Sequence, residues 1–273
     1  MTALPATHAI ELDLDDGWLT IWLNQPEKRN ALTDELRREV IAVLDAVRDD
    51  RSVRGITLRG RGGVFCAGGD MKQFQSDFQG SASLDDIRAM SRDAAAVMDA
   101  VYCAPQVTVV LVEGAAMAGG FGLMCCADVI IAQNSAKFAM TEAMIGLSPA
   151  QISPFVVDRV GRARARRLMV TAERIDGTAA LSMGLVDHIG EQASDLEAIE
   201  ADVKKRVLKC APVAVAQTKG LLQQLPISSR EEEVDICADL FARQMQGDEA
   251  REGVASFLEK RKPAWAAAKE NGK

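Results

Sequence analysis

Strand signatures crowd into the first half of the chain, and helical periodicity takes over in the second. That segregated order points to an α/β chain of the α+β kind, a sheet-bearing core followed by helices. Residues 10–23 alternate as Ile10, Leu12 and Leu14, then Asp15-Asp16-Gly17, then Leu19, Ile21 and Leu23, the period-2 pattern of a β-hairpin. Gly55-Ile56-Thr57-Leu58, Val107–Val112 and Val129-Ile130-Ile131 read as short buried strands, with a brief extended piece around Phe138. Thr33 is placed to cap a helix whose Leu36, Val40, Val43, Leu44 and Val47 share one face, ending near Asp49–Asp50. A second helix is expected over 84–102. Helical patterns then fill 153–160, 162–171, 178–183, 194–208, 213–222, 230–246 and 248–261. A soft boundary within 185–194 divides the chain into a core over 1–190 and a helical region over 191–273.

Composition narrows the function classes. With 48% hydrophobic and 26% charged residues in 273, the chain has the balance of a globular protein rather than a disordered one. The longest stretches without a charge, Gly114–Ala127 and Ala143–Val157, fall short of the roughly 18 apolar residues a membrane helix needs. Met1–Ile10 has neither a basic end nor a long apolar run, so a cytoplasmic location is expected. A net charge of −7 opposes generic attraction to phosphate polymers or anionic lipid, and neither nucleic acid nor membrane is an expected partner. The six cysteines form no C-x-x-C pair, and Cys125-Cys126 sit in an apolar run, which suits burial in a reducing compartment. Of two histidines, His8 falls in an end expected to fray and His188 follows a Gly-Leu-Val-Asp turn. Neither supports a catalytic triad or a histidine metal site.

Two glycine-rich loops follow strand signatures. One is Val64-Phe65-Cys66-Ala67-Gly68-Gly69-Asp70, ahead of a helix start at Asp70-Met71-Lys72. The other runs from Gly114 through Ala118-Gly119-Gly120-Phe121-Gly122 into an apolar helix reaching Cys126. Glycine lets a main chain approach a ligand closely, and N–H groups at a helix start point outward. Each loop alone reads equally as a tight turn. Together they offer two independent backbone donors, the minimum for an oxyanion hole.

Asn30-Ala31-Leu32 after Lys28-Arg29, Phe65 through Asp70, Gly114 through Gly120 with Asp128, and Gly184-Leu185-Val186 after Gly177 occur in order. With the Phe257-Leu258-Glu259-Lys260-Arg261 tail, these motifs resemble the crotonase (enoyl-CoA hydratase/isomerase) superfamily over nearly the whole chain. The resemblance implies a crotonase (ClpP-like) spiral of ββα units with a helical C-terminal region, assembled as a homotrimer or a dimer of trimers. It also implies an acyl-CoA substrate, with coenzyme A present only as part of that substrate and no separate cofactor or metal.

Carried over position by position, the resemblance puts the oxyanion donors on the backbone N–H groups of Gly69 and Gly119. Such donors are worth roughly 3–4 kcal/mol each where enolate charge develops on a thioester oxygen. Two glutamates flank the water in hydratases of the superfamily; the second falls on Glu142 and the first on Gly122. Glu142 stands among Met140, Ala143, Met144 and Ile145, whose desolvation should raise its pKa; read without the motif it is a solvated or paired carboxylate. One carboxylate suffices to move a proton between C2 and C4, whereas hydration needs water held by a further group. The Glu142–Val157 run and Ala118–Leu123 resemble the branch of methylglutaconyl-CoA and isohexenylglutaconyl-CoA hydratases of leucine and acyclic-terpene degradation. Hydration of such an ester is the expected activity. The alternatives are an enoyl-CoA Δ-isomerase using Glu142 alone, and a scaffold that binds CoA esters without turnover.

Substrate and CoA contacts implied in the same way fall on Lys28, Arg29, Ala31, Ala67, Gly68, Asp70, Gly120 and Lys260, the last beside a neighbouring subunit's CoA. Lys72 is a candidate cation for a second substrate carboxylate, and 73–83 for lining the acyl pocket. Read from the residues alone, Lys72 is a solvated lysine, the Arg162–Arg167 run a solvated helical face and interface, and Asp70 and Asp128 cap or orient their loops, while the Lys260 tail reads equally as a solvated helix end.

Overall fold

The computed structural model of the protein describes residues 3–71, 75 and 82–266. Strands β1 (Ile10–Asp15) and β2 (Trp18–Leu23) form the expected antiparallel hairpin, in register from Ile10↔Leu23 to Asp15↔Trp18. Its two turn residues, Asp16 and Gly17, have φ of 43° and 77°, the left-handed pair whose twist matches a two-residue hairpin. Beyond β2 the sheet is parallel. β3 (Gly55–Gly60), β4 (Val107–Val112), β6 (Val129–Gln133) and β9 (His188–Gly190) complete the order β1-β2-β3-β4-β6-β9. A second sheet stacks β5 (Ala115–Met117), β7 (Lys137–Ala139) and β8 (Ile175–Asp176) in that order.

Helix α1 (Asp34–Val47) joins β2 to β3, and its Thr33 cap accepts from Leu36 N, as the spacing predicts. Leu36, Val40, Val43, Leu44 and Val47 are all buried; the helix stops two residues short of Asp49. Helix α2 (Leu84–Tyr102) lies between β3 and β4 and opens on a reciprocal Ser83–Asp86 capping box. α3 (Gly119–Cys125) follows β5, and α4 (Ser153–Thr171) is broken at Gly161, where φ is 77°. Beyond it come α5 (Gly177–Ser182), α6 (Ala193–Val207), α7 (Pro212–Gln224), α8 (Arg230–Gln246) and α9 (Asp248–Leu258).

The central strands are buried on both faces, as parallel strands flanked by helices are. Val110 and Val112 join the larger core with Ile56, Leu58, Phe65, Phe121 and Phe138. Val109 and Leu111 point the other way and meet Ile131, Trp18 and, from α6, Leu196 and Val203. α6 is pinned there by Glu200, whose carboxylate accepts from the Thr57 hydroxyl, and Thr57 in turn accepts from Trp18 Nε1 at 2.8 Å. α7 is tied down by Lys219, which donates to Asp128 at 2.6 Å and to Gln106 O at 2.9 Å. Asp128 also accepts from Thr108 N at 2.7 Å, so it orients the start of β4 as a loop-capping residue would.

One expectation fails at the amino end. His8 does not fray: the Glu39 carboxylate on α1 accepts from the backbone N–H groups of His8, Ala9 and Ile10 at 2.9, 2.9 and 3.2 Å. Cys66, Cys125 and Cys126 are buried free thiols. Among the described residues no helix is long and apolar enough to cross a membrane.

Candidate active site

The site is assembled from three loops at the carboxyl ends of the neighbouring parallel strands β2, β3 and β4. The 25–32 turn comes first. Arg29 and Asn30 both adopt left-handed backbone, with φ of 53° and 54°, and the Asn30 side chain is wholly buried. Its Oδ1 accepts from Gln25 N at 2.9 Å, while its Nδ2 donates to Arg61 O and Val64 O at 2.9 and 2.7 Å. One amide thus fastens the turn to the first glycine loop. Main-chain bonds continue the seam: Ala67 N to Arg29 O at 3.0 Å and Leu32 N to Gly68 O at 2.8 Å.

The two glycine loops are then zipped together by Phe65 N to Glu113 O, Cys66 N to Ala115 O and Met117 N to Cys66 O, at 3.0, 3.1 and 3.0 Å. Leu32 and Gly69 form a parallel bridge in which Leu32 supplies its own N–H to Gly68 O. In that pattern the N–H of Gly69 faces the opposite side. The second loop lies there: a Cβ built on Gly119 would stand 3.7 Å from Gly69 N. Gly68 makes the approach possible, with φ of 100° and room for no Cβ, which would meet Met117 O and Ala118 Cβ at 2.9 Å.

Ala118 is the turning point of the second loop. Its φ of 47° and ψ of −121° are unusual for any residue with a side chain. The fold enforces them by binding Ala118 N to Ala139 O at 2.9 Å. α3 begins at the next residue, so the N–H of Gly119 has no intrahelical acceptor. Gly120 packs against Cys66, where a Cβ would lie 2.7 Å from the cysteine Cβ.

Glu142 opens a short 3-10 turn, Glu142–Ile145, three residues beyond Ala139. Because a chain extends at most about 3.6 Å per residue, its Cα stands within about 11 Å of that of Ala139, the residue bound to Ala118. Its Oε2 is buried and has no hydrogen-bond partner. Burial pushes the Glu142 carboxyl above its ordinary value, its own backbone N–H acting in the opposite sense. The direction is the one expected from its apolar neighbours. Met140 is 1% exposed, but Met144 and Ile145 are 73% and 56% exposed, and Ala143 is exposed too. The 3-10 turn closes on Gly146 in left-handed backbone (φ 79°).

Gly122, the position of the superfamily's first glutamate, sits inside α3 and is buried. A Cβ there would overlap the Cγ2 and Cβ of Ile152, which is itself 4% exposed. An aliphatic side chain from the segment ahead of α4 thus fills the space a second carboxylate would need. No spacing or motif in the sequence flags that role for Ile152. Asn30 was equally hidden, apart from the tolerance of asparagine for left-handed backbone.

The remaining residues separate into groups. Ala31 and Gly68 are buried in the loop seam, Ala67 and Asp70 are half-buried beside it, and Lys28 and Arg29 are exposed on the 25–32 turn. Lys72 lies outside the described residues, as does most of the 73–83 stretch. Lys260 is exposed at the end of α9. The tail beyond it is anchored by Arg54, whose Nη1 donates to Trp265 O at 3.1 Å just ahead of β3, whereas the glycine loop follows β3. Among the described residues no group of three or more His, Cys, Asp or Glu could hold a metal ion.

This arrangement of two closely apposed glycine loops and one partly desolvated carboxyl suits chemistry at the α and β carbons of a thioester. The enoyl-CoA hydratase/isomerase family profile matches residues 14–268. The chain belongs to the enoyl-CoA hydratase/isomerase family. It is 31% identical over 262 residues to human enoyl-CoA hydratase domain-containing protein 2, mitochondrial, covering 91% of this chain and 85% of that protein. The structure of Pseudomonas aeruginosa AtuE superposes with a TM-score of 0.91 at 43% identity, covering 95% of this chain and all of the other. An enoyl-CoA hydratase/isomerase from Marinobacter aquaeolei gives 0.90 at 37%, covering 95% and 99%. The mixed α/β core with its helical C-terminal part is accordingly the crotonase fold, and the protein is an enzyme of that family.

Proposed function

We propose that this enoyl-CoA hydratase/isomerase family enzyme hydrates the α,β double bond of a branched glutaconyl-CoA thioester, of the isohexenylglutaconyl or 3-methylglutaconyl type. The observation that carries the reading is Glu142 Oε2, a buried carboxyl oxygen with no hydrogen-bond partner on a half-buried residue, three residues from the strand that fixes the Gly119 loop. The backbone N–H groups of Gly69 and Gly119 bind the thioester oxygen and stabilise the enolate; Glu142 exchanges the proton. Lys28 and Arg29 meet the nucleotide end of CoA, and Lys260 meets it from a neighbouring subunit. We place the enzyme in the cytoplasm as a homotrimer or a dimer of trimers, its 191–273 region serving assembly and site closure.

A second reading, Δ-isomerisation by Glu142 alone, is favoured by Ile152 standing in the space at Gly122. Incubating glutaconyl-, 3-methylglutaconyl-, isohexenylglutaconyl- and crotonyl-CoA in heavy-oxygen water separates the two. Hydration consumes the conjugated chromophore and puts the label on Cβ. Isomerisation moves the double bond and leaves the product unlabelled; tight binding with every ester unchanged would leave only the scaffold role.

A further inference from the structure

Both donor loops leave the carboxyl ends of neighbouring parallel strands, one after β3 and one after β4. Between those two strand ends lies an ion pair with no part in the chemistry above. Arg59 Nε meets Glu113 Oε2 at 2.8 Å, with side chains only 9% and 14% exposed. Arg59 pairs with Leu111 in the ladder, so Glu113, two residues on, is its diagonal neighbour on the same face. The guanidinium is held from two further sides: it lies 4.7 Å over the Trp22 ring, and its Nη1 reaches Glu197 of α6 at 2.8 Å. The main chain of Glu113 joins the loops as well, accepting from Phe65 N at 3.0 Å and Ala115 N at 2.7 Å. Any change in the splay of β3 and β4 is therefore passed along the Phe65–Ala67 and Ala115–Ala118 seam to the two N–H groups.

Resting on the oxyanion-hole reading, we infer that Arg59 and Glu113 are a positioning pair. They hold the two strand ends at the separation at which the N–H groups of Gly69 and Gly119 reach one carbonyl oxygen. A buried ion pair often adds little to stability over apolar side chains of the same volume, so a geometric role accounts better for charge at this position. A misplacement of about 1 Å at a reacting centre costs on the order of 100-fold in rate.

Glu113→Gln in the full chain tests this, since it keeps the side chain's shape and leaves Arg59 paired with Glu197. The expected result is a fall in kcat of about 10- to 100-fold with KM within about threefold, and a cooperative melting curve. A bound 2,4-dienoyl-CoA reports the geometry directly, because hydrogen bonding to its carbonyl oxygen shifts the absorption to the red; the variant is expected to lose most of that shift. Arg59→Lys is expected to retain only part of the function, since a lysine has no Nε–H to offer Glu113 in the guanidinium's fixed planar geometry. It carries the test if Glu113→Gln does not fold. Glu197→Gln leaves the Arg59–Glu113 contact in place and should stay within about threefold of the parent. A Glu113→Gln protein with the parent's kcat and red shift overturns the pair's role, as does a Glu197→Gln protein with an equal loss. No red shift in the parent itself overturns the oxyanion hole, and the pair's role with it.

Discussion

At the scale of single residues, Glu142 couples function to stability with a definite sign. Its carboxyl is held above the ordinary value by burial, so the folded chain keeps a proton that the unfolded chain has already lost. Stability from this group is present at low pH and falls as pH rises through the raised pKa. Glu142→Gln is therefore expected to raise the melting temperature, more at pH 8 than at pH 5, while cutting kcat by roughly 100- to 10,000-fold. The acid limb of kcat/KM in the parent should lie above the ordinary carboxylate range. Gly119→Ala separates site from fold differently. Its methyl would come closest to the end of the buried Leu32 side chain, Cδ1 at 3.1 Å, and would stand 3.7 Å from Gly69 N, crowding the space beside it. Near-parent melting with a loss of roughly 100-fold in kcat/KM is expected. Asn30→Ala should do the reverse of that and damage the fold. It strands Gln25 N, Arg61 O and Val64 O, each worth about 1 kcal/mol or more when buried without a partner, and a denaturant titration should register a loss of about 2–4 kcal/mol.

At the scale of elements, legibility followed the length of the repeating pattern. α1, α2 and α8 are legible in the sequence to within two or three residues because each carries several periods of apolar spacing and a side-chain cap or reciprocal capping box, and β4 because it is a mostly β-branched run after Pro105. β5, β8 and β9 are two or three residues long, too short for alternation to register, and they form only because partner strands are already there. The donor loops were legible from their glycines. Their close apposition was not, since it depends on Asn30, on Ala118 in left-handed backbone and on bonds spanning up to about fifty residues of chain. Nor was the interior of α3. Gly122→Ala should cost about 1–3 kcal/mol by overpacking against Ile152, and Ile152→Ala made alone should also destabilise. The pair made together should recover part of both losses, and a double-mutant cycle read by urea unfolding measures that coupling.

At the scale of the whole molecule, the apolar surface is uneven. Ile227, Phe241, Phe257 and Leu258 are 88%, 65%, 82% and 73% exposed, all in the C-terminal helical region, and Met144 and Ile145 add to it near Glu142. The proposed trimeric assembly would take such side chains out of water. Phe241→Glu with Phe257→Glu is expected to shift the particle mass by light scattering from a multiple of 29.4 kDa toward one chain, and an unchanged mass would remove those helices from the interface. The packing of Ile152 on Gly122 also says something about ancestry. A descendant of this chain that acquired a glutamate in α3 would have to vacate the neighbouring space in the same step, because either change by itself injures the interior. The single-carboxyl form is thus a local trap in sequence space, easier to inherit than to leave.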